Sequence, residues 1–145
     1  MKKSQPEIIK EIAQELDCGN DCYLNIKTTE IIGIPNFSQI SDEDEFKEIF
    51  RADLEKINQQ KADFIKFEAL ESFESFKIIE RFVGQINDRN LTSELENILK
   101  KKRPFQNFKR SIDNSNFRQK WFHFKQDELE KIVEKKLNKQ KINTK

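Results

Sequence analysis

Cationic side chains alternate with aromatic rings between Lys100 and Lys125. Lys100-Lys101-Lys102-Arg103 runs into Pro104-Phe105, Phe108 precedes Lys109-Arg110, and Arg118 and Lys120 precede Trp121-Phe122-His123-Phe124. The span 103–124 holds the only Trp, the only His and five of the 13 Phe. Lys and Arg neutralise phosphates and flat rings stack on bases, the two contacts a protein makes with a single nucleic-acid strand. The candidate anion-binding set is Lys100, Lys101, Lys102, Arg103, Lys109, Arg110, Arg118 and Lys120. The rings, however, recur every three or four residues, which is the spacing of a buried helical face. Phe76, Phe82, Phe105, Phe108, Phe117, Trp121 and Phe124 are therefore expected in the core, and binding is expected to rest on charge without stacking. The bland reading of 100–103 is a set of cations complementing the dipole at a helix C-terminus.

Other chemistries lack their parts. Cys18 and Cys22 stand in Cys-Gly-Asn-Asp-Cys, but a zinc site wants about four ligands and His123 is the sole imidazole. Asp17 and Asp21 could contribute, yet the spacing alone is weak, so two reduced thiols are expected, with Cys22 filling the core. No metal and no cofactor is assigned. There is no Gly-x-Ser-x-Gly elbow, and none of the three Gly stands in Gly-x-Gly order to cradle a phosphate. Asp42-Glu43-Asp44-Glu45 could hold a hard cation, although acids at a helix start are explained by the dipole. No catalytic residue is named, and an enzyme of unrecognised type stays only as an alternative.

Composition limits the setting of this chemistry. A chain of 145 residues is the size of one domain. Apolar residues make up 35% and charged residues 37%, but the Phe, Ile and Leu fall at regular spacings, which argues for a folded chain. Few Gly and Pro argue for long helices. No apolar run approaches a membrane span, and Met-Lys-Lys is followed by Ser-Gln-Pro-Glu where a secretory signal would be apolar. The expected location is the cytoplasm. Residues 1–98 hold 12 Lys/Arg and 21 Asp/Glu, net −9, whereas 99–145 hold 15 and 5, net +10. This polarity suits an anionic partner at one end, or acidic and basic faces meeting between molecules. Candidate partners are RNA, an acidic protein and a second copy of the chain, with no membrane. Solvated faces that neutralise one another are the plain alternative.

The elements that must position these residues are readable from caps and periodicity. Ser4-Gln5-Pro6-Glu7 predicts a helix start, Ile8, Ile9, Ile12 and Leu16 its stripe, and Gly19 its end. Cys22–Ile26 alternates as a strand with Cys22, Leu24 and Ile26 on one face, and 30–34 returns as its hairpin partner. A loop over 35–40 leads to a helix capped by Ser41, with Phe46, Ile49, Phe50, Leu54 and Ile57 on one face. Residues 63–68, with Phe64, Ile65 and Phe67, read as a third strand, with a short helix the alternative that periodicity leaves open. Helices follow from Ser72 to Val83 (Phe73, Phe76, Ile79, Phe82, Val83 and Ile86 inward), from Asn90 through Leu99, and from Pro104 through Ile112. Ser115 caps another through Phe124, and Asp127 with Glu130 caps a further segment with Leu129, Ile132, Val133 and Leu137 on its apolar face, one long bent helix being the alternative. The expected fold is α+β: a small antiparallel sheet of about three strands with five to seven helices. It is expected as a single domain over 1–145, with 1–68 holding the strands, 69–139 a helical subdomain and 140–145 a frayed tail.

Pro104-Phe105, Phe108-Lys109 and Trp121-Phe122-His123-Phe124-Lys125 also resemble the signature of a bacterial group, Uncharacterised Protein Family 0158. That pattern is roughly F-x-x-F-[KR], a spacer and W-F-x-F-[KR]. Upstream, Ser72 through Phe82 is similar to the family's S-x-x-x-F-x-[IM]-[IM]-x-x-F. The resemblance covers about Phe64 to Leu137. It implies the architecture and no activity, so no catalytic residue is carried over.

Overall fold

The computed structural model describes residues 2–35 and 43–143. Ser4 opens α1 (Gln5–Asp17): its Oγ accepts the Glu7 amide at 3.4 Å, with Pro6 in the first turn. The helix ends against Gly19, whose φ of +83° is a conformation that a Cβ would oppose. Ile8, Ile9, Ile12, Ala13 and Leu16 are buried on the face toward the sheet. β1 (Asn20–Asn25) pairs antiparallel with both β2 (Ile31–Pro35) and β3 (Phe64–Phe67), in the order β2-β1-β3. Cys22 and Leu24 of this central strand are buried, but Ile26, expected beside them, is 45% exposed. The chain turns at Asn25, whose Oδ1 accepts the amides of Lys27 and Thr28, so the alternation ends before it reaches Ile26.

The helix expected from Ser41 is interrupted. The Ser41 cap and the loop over 36–40 lie outside the described residues. α2 (Glu43–Ile49) stops and α3 (Arg51–Gln59) restarts across Phe50. A break of this kind removes the register of a 3.6-residue stripe. Ile49, expected to be buried, is accordingly 66% exposed, while Leu54 and Ile57 are half-buried. A 3-10 turn, Lys61–Asp63, leads into β3.

The remaining helices are α4 (Ser72–Val83), α5 (Arg89–Leu99), α6 (Pro104–Asp113) and α7 (Arg118–Asn143). Among the described residues there are thus seven α-helices and one three-stranded antiparallel sheet, an α+β fold. α7 is one helix, and Asp127 and Glu130, expected to start a separate segment, lie inside it.

Backbone contacts divide the chain into two compact units, Met1–Leu70 with Leu129–Lys145, and Glu71–Glu128. In the first, the α1 stripe, Cys22, Leu24 and Phe67 share a core with Leu129, Val133 and Leu137. Sequence periodicity grouped those last three with the helical C-terminal half, because a period marks an apolar face without showing what covers it. Ile132, also expected inward, is 36% exposed. In the second unit, Glu71 and Glu74 cap α4 reciprocally, each carboxylate accepting the other residue's amide. Ile78, Ile79, Phe82 and Val83 are buried, whereas Phe73, in the first turn and assigned to the same stripe, is 58% exposed.

Candidate nucleic-acid interface

α5 begins where Asp88 Oδ1 accepts the Leu91 amide at 3.1 Å. Its end is a tight turn: the Lys100 amide bonds the Asn97 carbonyl and the Lys101 amide that of Ile98, both at 3.2 Å. Arg103 then takes the left-handed conformation, φ +54°, and Pro104 starts α6 at once. Asn107 secures the corner by donating Nδ2 to the Lys102 carbonyl at 3.2 Å. Leu95, Phe108 and Ile112 are buried in this unit, where α5 and α6 pack together. Four consecutive cations are thereby held where one helix ends and the next begins.

The electrostatics of that corner are asymmetric. Cations suit the C-terminus of α5 but oppose the positive end of α6, whose first turn has no acid and no side-chain cap. Lys100, Lys101, Lys102, Arg103, Lys109 and Arg110 are all exposed, and none forms an ion pair with another described residue. Lys109 and Arg110 follow on α6, about 9 and about 10 Å along its axis from Arg103.

Arg118 and Lys120, expected beside this patch, have partners of their own. Arg118 pairs with Asp113 at 3.4 Å and lies over Phe122 at 4.8 Å. Asp113 is the last residue of α6, about 15 Å along the axis from the corner. Lys120 sits over Phe117 at 5.2 Å. Six of the eight candidate cations thus have no ionic partner among the described residues, four of them consecutive at the corner, and two have partners of their own.

The rings divide as well. Trp121 is 8% exposed and meets Phe108 edge-on at 5.0 Å and Phe82 at 5.2 Å, while Phe124 lies 5.4 Å from Phe82. Phe76, Phe117 and Phe124 are half-buried. Phe105, expected in the core, is 38% exposed and touches Phe76 edge-on at 6.3 Å. It is separated from Arg103 only by Pro104, so one ring stands with the cations after all.

His123 is exposed on α7 beside a cavity of about 400 Å3 that also reaches Gln85 and Asn87. Those two amides went unread in the sequence, where Gly84 and its successors marked only a helix end. Cys18 is exposed and Cys22 buried, both as free thiols, and no described group of three or more His, Cys, Asp or Glu could hold a metal. No helix among the described residues is long and apolar enough to cross a membrane.

Fold and surface together define an α+β protein whose helical unit, Glu71–Glu128, presents a basic corner without ionic partners among the described residues. The chain belongs to the Uncharacterised protein family (UPF0158), which it matches over residues 4–145, so the N-terminal third is included as well as the span from Phe64 to Leu137. No curated protein and no solved structure matches it.

Proposed function

We propose that this protein is a non-catalytic binding or regulatory protein whose basic corner contacts an anionic partner, namely RNA. The observation that carries the reading is the group Lys100–Arg103, Lys109 and Arg110, exposed and without ionic partners among the described residues. A cluster of uncompensated cations at the positive end of a helix is stabilised when phosphates neutralise it. Phe105 adds one accessible ring, so a single strand can be held by charge and by one stacked base. The sequence carries no recognisable base-reading motif, so affinity is expected to be weak and largely independent of sequence.

The test is fluorescence anisotropy of a short single-stranded RNA titrated with the protein at several salt concentrations. If about four cations reach phosphates, log K against log salt has a slope near −3, from roughly −0.7 per contact. Reversing Lys100, Lys101 and Lys102 together to Glu abolishes binding and leaves the far-ultraviolet circular dichroism unchanged, because these side chains are exposed. Absence of binding by the wild-type protein at low salt refutes the proposal.

A further inference from the structure

We infer that the cavity beside His123 binds a single nucleotide, with the base over Phe117 and Phe124 and the phosphate toward Lys120. At about 400 Å3 it lies at the small end of the usual ligand range, about 300–1,000 Å3. One wall is a stripe of α7: Lys120, His123, Phe124 and Asp127 recur at i, i+3, i+4 and i+7, so they share a helix face. The facing residues come from the turn after α4. That turn is already set, with the Gln85 amide on the Phe82 carbonyl at 3.1 Å and the Ile86 amide on Val83 at 3.3 Å. Thr92 Oγ1 donates to the Ile86 carbonyl at 3.4 Å and ties the turn to α5. Such preorganisation lowers the ordering cost of binding.

The chemistry of the lining selects the ligand class. Phe117 and Phe124 are half-buried and give apolar ring surface, with Phe82 packed behind Phe124. Gln85 and Asn87 each carry a donor and an acceptor, and neither side chain hydrogen-bonds another described residue. Amides of this kind read the edge of a base. Lys120, whose Nζ lies 5.2 Å from the Phe117 ring centre, supplies a positive charge at that side of the cavity and must swing off the ring to meet a phosphate, and His123 lies one turn along the same face. Asp127 is about 10 Å along α7 from Lys120, which keeps its carboxylate away from a phosphate at Lys120 and leaves it to accept from an exocyclic amine. A sugar leaves the cation unused, a bare phosphate leaves the rings and amides unused, and an aliphatic acid leaves the ring faces unused. A nucleotide uses all three. It can arrive free or as one residue of an RNA strand, and only the second source rests on the RNA reading above.

The experiment is a 1H–15N chemical-shift titration of the full chain with the four ribonucleoside 5′-monophosphates, with ribose 5-phosphate, and with the short RNA. Saturable shifts are expected at Gln85, Asn87 and across 117–127 with the monophosphates and not with ribose 5-phosphate. The exposed-site variant Asn87→Ala/Lys120→Ala weakens binding at least about tenfold, the scale of one lost stacking or charged contact. The triple Lys100, Lys101, Lys102 to Glu variant loses the strand but keeps mononucleotide affinity within about twofold, which separates the pocket from the basic corner. Cavity shifts with the strand alone assign the pocket to an RNA residue, and with monophosphates alone to a free nucleotide. No cavity shift with either ligand up to about 10 mM, or equal shifts with ribose 5-phosphate, overturns the inference.

Discussion

Trp121 and Phe105 belong to the same aromatic segment and have opposite environments. Trp121 fills the junction of Phe82 and Phe108, so Trp121→Ala removes a large buried ring and is expected to cost about 3–5 kcal/mol in urea unfolding. As the only Trp, it also reports its own burial: native emission as red as that of the unfolded chain would contradict the packing. The two thiols differ in a similar way. Burial first, then the carboxylates of Glu15 and Glu11, push the Cys22 thiol up from 9.0 to about 12. Below pH 9.0 the folded and unfolded chains both keep this proton, and its contribution to stability is fully present. Between 9.0 and about 12 the unfolded chain has lost the proton and the folded chain retains it, so stability falls as pH rises. Urea midpoints followed across that window should decline more steeply for the wild type than for Cys22→Ala. Equal slopes would mean that the thiol titrates alike in both states. A thiol reagent near neutral pH should label exposed Cys18 in the folded protein and Cys22 only on unfolding.

The hairpin joining β1 and β2 hangs on one buried amide. Asn25 is 2% exposed, accepts two turn amides at 2.8 and 3.0 Å, and donates Nδ2 to Gln60 Oε1 at 3.3 Å. Asn25→Ala leaves those groups unpaired and should cost about 1–3 kcal/mol. Gln60→Ala loses only the last bond and should cost less. Equal costs, measured by denaturant titration, would show that the turn amides do not depend on Asn25. The α5–α6 corner is the second element-scale device. It reverses the chain through a left-handed Arg103 followed by Pro104, and so sets four cations at a helix start with no acid in its first turn.

Across the whole molecule, charge separates by sequence, net −9 over 1–98 and net +10 over 99–145, while the chain as a whole is net +1. Near-neutral proteins with opposite patches can pair head to tail, and such contacts between exposed charges are screened beyond about 8 Å at physiological salt. Sedimentation velocity should therefore show any oligomer dissociating as salt rises from tens to hundreds of millimolar. An oligomer indifferent to salt would require an apolar interface, for which the exposed Ile49 and Phe73 are the first residues to mutate. The same salt series with RNA present separates the two partners, because self-association and strand binding would compete for Lys100–Arg103.

Helix and strand limits depend on neighbours in sequence, and those were legible. Ser4 with Pro6 opens α1, Gly84 follows the end of α4, Pro104 opens α6, and the short apolar run read as a third strand over 63–68 is a strand at Phe64–Phe67. The same residues determined the α+β class and the concentration of cations after Lys100. Coverage is another matter, because it depends on residues remote in the chain. Ile49, Phe73 and Phe105 satisfy a helical period yet lie exposed, and Leu129, Val133 and Leu137 bury against α1 and the sheet. Charge pairing is equally non-local: Asp113 takes Arg118, while no described acid reaches the corner at 100–103. Gln85, Asn87 and His123 line one cavity only because the turn after α4 and the first part of α7, as far as Glu128, fold within one unit, a proximity that no local spacing encodes.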